Sequence, residues 1–164
     1  MVDVHDPLTR SRNMAAVRSR DTKPELLIRR ELHRLGFRFR LSPRTLPGRP
    51  DIVLPRFRAA IFVHGCFWHG HGCHLFKLPR TRPEFWEEKI AANRRRDQKA
   101  VVGLRDEGWR VAVIWECALR GPHRLTKNGL FDRLPAWIRS ETLCFELHGT
   151  GPGLRLLSDC VGTP

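Results

Sequence analysis

No run of apolar residues in this 164-residue chain approaches the roughly 20 needed to cross a bilayer. The polar, arginine-rich stretch Met1–Arg20 has no apolar segment of the kind a secretory signal requires. Internal repeats and low-complexity tracts are also missing, so neither a solenoid nor a biased-composition polymer is expected. Acidic residues are scarce: 17 Asp and Glu stand against 30 Lys and Arg, a net charge of +13 with a pI near 11.0. The excess is mostly arginine, whose planar fork pairs with phosphate, so the expected partner is a polyanion, and nucleic acid before a membrane surface. A membrane would call for a basic amphipathic helix with a coherent apolar face, and none is evident. The five cysteines are an odd number, and without a signal segment an intracellular reading favours thiols and metal over disulfides. With 41% hydrophobic residues, the chain is sized and composed for one domain with its own core.

What is present is concentrated in one place. Val63 to His74 holds four histidines, two cysteines, three glycines and the adjacent pair Phe67-Trp68. Histidine and thiolate are the usual zinc ligands, and histidine is also the usual proton carrier near neutral pH. Glycines let a chain wrap closely around an ion or a ligand. A plain surface loop has no need of all of these together, and the segment reads as a site.

The rest of the chain leads to it. Met1–Asp21 carries Arg10, Arg12, Arg18 and Arg20 around a short helix-compatible patch, which suits an arm that clamps DNA as well as a solvated terminus. Thr22-Lys23-Pro24-Glu25 opens a helix, with Thr22 as cap, Pro24 in the first turn and Glu25 closing a capping box. Leu27, Ile28, Leu32 and Leu35 give that helix an apolar stripe, and Gly36 ends it. The box alone accounts for Glu25. Phe37–Leu41 alternates as a half-buried strand, Asp51–Leu54 is a short strand opening on a carboxylate, and Ala59–Val63 is a buried strand running into the histidine cluster. Asp51 and the cluster thus sit on neighbouring strands, where a metal-binding carboxylate and a base can meet. A second helix is expected to start at Thr81-Arg82-Pro83-Glu84 and to run to about Glu107, with Ile90, Asp97, Val101 and Leu104 on one face and Lys89, Asn93, Arg94, Arg95 and Arg96 loading the others. A strand over Trp109–Trp115, a helix over Leu125–Ile138 broken or re-started at Pro135, and a weak strand over Leu143–Leu147 complete the reading. The order of elements predicts a mixed α/β sandwich around a small sheet.

Three motifs then coincide: Leu46-Pro47-Gly48-Arg49-Pro50-Asp51, Phe62 to His71, and Trp115-Glu116-Cys117-Ala118-Leu119. With Asn13-Met14 and Arg82-Pro83-Glu84-Phe85-Trp86, they closely resemble the very short patch repair DNA mismatch endonucleases, from about Asp3 to about Trp137. The resemblance implies a restriction-endonuclease-like fold, a three-layer α/β/α core around a small mixed sheet with a structural zinc site. It also implies nicking of double-stranded DNA on the 5′ side of the thymine in T:G mismatches, the lesion left when 5-methylcytosine deaminates. Carried over by position, Asp51 would be the principal magnesium ligand together with the main-chain carbonyl of Val63. His69 would be the general base, with His64 and Glu25 in support around the phosphate and the water. Cys66, His71, Cys73 and Cys117 would hold structural zinc, with His74 an alternative ligand and Cys144 and Cys160 left as buried or idle thiols. Phe67, Trp68 and Trp86 would wedge into the base stack, Met14 would add a wedge from the arm, and Lys89 and Asn93 would contact bases or phosphates near the mismatch. Unstacking costs a few kcal/mol per step and least at a mismatch, which is a physical route to selectivity.

The same resemblance implies a monomeric, cytoplasmic, DNA-associated bacterial enzyme, with other mismatch-repair proteins as further contacts. It divides the chain into a basic DNA-clamping arm (1–21), an endonuclease core (22–140) and a weakly structured C-terminal extension (141–164). Two alternatives stand beside it: a restriction-type nuclease of the same fold, and a zinc-stabilised DNA-binding module without catalysis. The module would have no use for Asp51 and His69 together.

Overall fold

The computed structural model describes residues 20–151 together with Leu8, Thr9 and Arg12. Met14, Cys160, most of the arm and the chain beyond residue 151 lie outside the described residues. The elements are α1 (Lys23–Arg34), β1 (Arg40–Leu41), β2 (Ile52–Leu54), β3 (Ala59–His64), α2 (Pro83–Asp106), β4 (Arg110–Trp115), α3 (Glu116–Leu119), α4 (Lys127–Phe131), α5 (Arg133–Arg139) and β5 (Cys144–Leu147). Five strands form one sheet in chain order. The first three run antiparallel, while β3, β4 and β5 are parallel to one another. A parallel neighbour requires a crossover, which α2 supplies between β3 and β4, and α3–α5 between β4 and β5. No helix among the described residues is long and apolar enough to cross a membrane.

Period-two alternation divides the strands between two cores. Ile52, Leu54, Ala59, Ile61, Ala112 and Ile114 face one side, where they meet Ile28 and Leu32 of α1 and Leu130, Leu134, Trp137 and Ile138 of α4 and α5. Ala60, Phe62, Val111, Val113 and Trp115 face the other, against Ala100, Val101 and Leu104 of α2 and against Cys66, Cys73 and Cys117. The result is a three-layer α/β/α sandwich, as expected. The cysteines belong to the second core, so the histidine-rich segment is packed under α2 rather than hung from the surface.

The helix starts differ in design. Thr22 caps α1, its hydroxyl accepting from the Glu25 N–H and donating to Glu25 Oε1. The start of α2 was expected to follow the same plan at Thr81, but Arg82 is the N-cap in a left-handed conformation (φ 54°) and caps nothing with its side chain. Pro83 makes this affordable, since it presets φ for a first turn and has no N–H to satisfy.

Two further expectations are corrected. Leu27 lies off the buried stripe of α1 and is 43% exposed, because it stands a helical step away from the line through Ile28 and Leu32. The strand expected over Phe37–Leu41 pairs only at Arg40 and Leu41, and Phe37 turns into the core instead, 4% exposed. The helix expected over Leu125–Ile138 is re-started, one of the two readings of Pro135: two helices meet at Asp132, with Pro135 in the tolerant first turn of α5. The strand expected near Leu143–Leu147 pairs in full with β4 and buries Leu147.

Candidate active site and metal centre

Open α/β sheets bind ligands beyond the carboxyl ends of their strands, and β3 and β4 end side by side at His64 and Trp115. There the chain leaves β3 through Gly65 into the histidine-rich loop and leaves β4 directly into α3. A cleft of about 730 Å³ lies at this end, lined among others by Glu25, Asp51, His64, Trp68, His69, Asn93 and Asp97. Four chain segments far apart in sequence therefore share one cavity.

Asp51 sits just before β2, where its Oδ2 accepts a 2.7 Å hydrogen bond from the Val63 N–H. A strand residue projects its N–H and C=O to the same side, so the Val63 carbonyl is directed toward the flank on which Asp51 lies. Burial pushes the Asp51 carboxyl up to about 6, opposed by the Val63 hydrogen bond; Glu25 adds to the rise, while Arg29 and His69 work against it. A desolvated carboxylate short of positive charge fits a cation, and the hard oxygen donors of Asp51 and Val63 suit magnesium.

His69 and Asp97 form a pair, with Nδ1 and Oδ2 2.6 Å apart. The carboxylate holds Nδ1–H and leaves Nε2 as the ring's acceptor, the orientation a general base needs. His64 stacks on His69 at 3.7 Å with 3° between the planes. Burial, and next to it the His69 ring, drive the His64 pKa well below its ordinary value, so His64 is neutral, and its buried Nδ1 has no partner. The nitrogens of His64 and His69 with the Asp97 carboxylate are close enough to hold an ion. Lone pairs in the planes of two parallel rings cannot converge on one point, however, and the trio is better built to carry a proton.

Glu25 is 3% exposed and serves two roles at once. It closes the box at Thr22, and its Oε2 accepts from the Asp21 N–H at 3.1 Å and from Arg29 at 2.6 Å. Arg29 also bonds Asp21 at 2.5 Å. The residue is in the cleft, but its charge is already matched.

Phe67, Trp68 and Trp86 are half-buried and belong to neither core. Phe67 lies 5.1 Å from Trp68 and 5.3 Å from Trp86, centroid to centroid. Lys89 Nζ lies over Trp68, Phe85 and Trp86 at 5.6–5.7 Å, bracketing the group from α2. Asn93 donates to the Trp68 carbonyl at 2.7 Å and accepts from Arg96, and so clamps the aromatic loop to α2.

Cys66, His71, Cys73 and Cys117 converge, all buried, with one ligand atom from each within 4.8 Å of the others. The 3.5 Å between His71 Nδ1 and Cys117 Sγ matches the ~3.6 Å edge of a tetrahedron with ordinary Zn–N and Zn–S bonds. The quartet fits zinc. The hydrogen bond with Cys117, and after it burial, push the Cys66 thiol up, while the same bond from Cys66, helped by His71, pulls Cys117 down to about 4, the direction a metal-ligating sulfur needs. His74 is not in the group: its ring packs against His123 at 5.0 Å, with Nε2 buried and unpartnered. Cys144, expected as an idle thiol, is disulfide-bonded instead. Sequence reasoning gave Asp97 no role; its one signal was a lone carboxylate on the apolar face of α2. Arg29 left no comparable signal.

A buried carboxylate beside a histidine–aspartate pair, in a strongly basic chain, has the makings of a hydrolase for an anionic polymer, and the class is that of a nuclease. A family model described as DNA mismatch endonuclease Vsr matches residues 2–75. The chain is 51% identical over 151 residues to the DNA mismatch endonuclease Vsr of Escherichia coli, spanning 92% of this chain and 97% of that one. It is 53% identical over 119 residues to the Type II nicking enzyme V.XorIIP of Xanthomonas oryzae pv. oryzae, covering 73% and 88% of the two chains. The Type II nicking enzyme V.NmeAIP of Neisseria meningitidis is 42% identical over 120 residues, 73% of this chain and 86% of its own. The chain belongs to the DNA mismatch endonuclease Vsr family.

Proposed function

We propose that this DNA mismatch endonuclease nicks duplex DNA on the 5′ side of the thymine in T:G mismatches left by deamination of 5-methylcytosine. The observation that carries the reading is the shared cleft: Asp51, the His69–Asp97 pair and His64 lie beside a half-buried aromatic cluster bracketed by a lysine. Chemistry and distortion of the base stack then act at one place.

In the proposed reaction, His69 Nε2 takes the proton of a water whose oxygen bonds to phosphorus. The P–O bond to the departing sugar oxygen breaks, and its electron pair leaves with that oxygen. Asp97 holds His69 in the required tautomer and stabilises the imidazolium that forms, and the neutral His64 ring, stacked on His69, supports at the phosphate or the water. Magnesium, with Asp51 and the Val63 carbonyl as its ligands, would supply stabilisation of the charge that builds on phosphate and leaving oxygen. Glu25 supports from the cleft wall through its network with Arg29. Zinc in the Cys66–His71–Cys73–Cys117 quartet would be structural, because all four positions are protein-filled and none is left open for substrate. Phe67, Trp68 and Trp86 are read as the wedge, with Met14 of the arm (1–21) as its unplaced fourth member. Lys89 and Asn93 are read as contacts at the mismatch, which requires Asn93 to exchange Trp68 for DNA.

The test is nicking of a labelled duplex with one T:G mismatch, beside its fully paired control, with and without magnesium, in several sequence contexts. A single nick 5′ of the thymine, absent for Asp51→Ala, is expected. Binding without cleavage in every context would leave only a DNA-binding module, and cutting of both strands of paired DNA would make it a restriction-type nuclease.

A further inference from the structure

The segment from Leu46 to Asp51 is pinned against α2. Pro47 packs so closely on Gly103 that a Cβ there would lie 3.1 Å from Pro47 Cβ. Gly48, at φ +69°, leaves no room for a side chain between the Ala100 Cβ and the Phe62 ring. Between this anchor and Pro50, Arg49 adopts φ 50°, a left-handed conformation that a side chain with a Cβ resists.

The other charged residues with positive φ have a visible return within the fold. Asp21 pairs with Arg29, Arg58 donates to the carbonyls of Glu107 and Gly108, and the Arg82 guanidinium lies 4.8 Å over Phe85. The Arg49 side chain has no hydrogen bond, ion pair or ring partner among the described residues. It is exposed, two residues from Asp51, and lines the same cleft. Strain held without a structural return at the edge of a site points to function.

The charge inventory of the cleft agrees. Glu25, Asp51, Asp97 and Glu116 line it, against Arg49 and Arg96. Arg96 is bonded to Asn93, while Arg29, the cation nearest Glu25, is consumed by Glu25 and Asp21. The strand β3 contributes no lysine or arginine, since it ends Phe62-Val63-His64. An attacked phosphodiester gains negative charge on its non-bridging oxygens, and Arg49 is the uncommitted fork positioned to meet it.

We infer that Arg49 is a catalytic residue whose guanidinium grips the non-bridging oxygens of the scissile phosphate. The inference rests on the cleft being the nicking site proposed above. Arg49→Gly is the discriminating variant, because glycine accepts φ 50° without strain and the turn is preserved. Single-turnover nicking of the T:G duplex by saturating enzyme should slow by about 100-fold in Arg49→Gly, and by less in Arg49→Lys, which keeps charge but not the fork. The Tm should not fall, and added guanidinium ion at non-denaturing concentration should restore part of the rate in Arg49→Gly but none in Asp51→Ala. Active wild type with Arg49→Gly cutting at a similar rate would overturn the inference alone. A slow variant with a lowered Tm and no rescue would also overturn it, assigning Arg49 to the loop's structure. Failure of the wild type to nick the mismatched duplex under any condition would remove the proposed function and this inference together.

Discussion

Asp51→Asn should make the metal-free protein more stable while abolishing its nicking. Burial raises the Asp51 carboxyl from an ordinary 3.8 to about 6, so ionising it in the folded state is costly. A displacement of about two pH units corresponds to on the order of 3 kcal/mol. The sign follows from linkage: a carboxyl whose folded pKa is raised is no burden below the unfolded value, and the protein loses that stability as pH climbs through the folded value. The penalty is therefore absent near pH 4 and complete by about pH 7. Asparagine carries no charge and still accepts from the Val63 N–H, so the variant's advantage should grow across that interval to roughly 8 °C in Tm for a chain of this size. The assay is thermal and urea unfolding of chelator-treated wild type and variant at pH 4 to 8. Magnesium added at pH 8 should then raise the Tm of wild type and leave the variant unmoved, since only wild type would gain from binding to the folded state. An advantage that is flat with pH, or a variant less stable at pH 8, would refute the claim that Asp51 is held desolvated and under-compensated.

Asp97→Asn removes the charge that fixes the His69 tautomer, and single-turnover nicking at neutral pH should drop by about 100-fold or more with duplex affinity little changed; a wild-type rate would take Asp97 out of the mechanism. Cys117→Ser should lower zinc stoichiometry and Tm together, whereas His74→Ala should alter zinc content in neither direction, both measured by metal analysis of purified protein. Gly70 has φ 63° and a Cβ there would fall 2.6 Å from Ile90 Cγ2, so Gly70→Ala should cost about 3 kcal/mol through backbone strain and overlap. Because His69 and His71 flank it, that variant should lose nicking and zinc retention as well, and an unchanged urea midpoint would contradict the placement.

The chain itself determined the local structure and the chemical cast. Thr22 to Glu25 specify a capped helix start, Ala59–Val63 and Trp109–Trp115 specify buried strands, and the Val63–His74 segment announces metal and proton chemistry by composition alone. These are short-range statements, set by side-chain period, capping and ligand type within a dozen residues, and they held where no distant partner competed; the start of α2 and the strand expected over Phe37–Leu41 did not follow their local pattern. The partnerships had to wait for the fold. Cys117 stands 44 residues after Cys73 in the sequence, and its meeting with the histidine loop depends on β3 and β4 ending in parallel register. Whether His71 or His74 completes the quartet turned on the path of the loop under α2, which sends His74 to His123 instead. Asp97 read as one more residue on a helix until α2 crossed the sheet and set it against His69, and Arg49 read as one more arginine until its loop was pinned at the cleft. Spacing along a chain carries no information about which strand ends lie side by side, and it is there that the carboxylates, the histidines and the thiols acquire their roles.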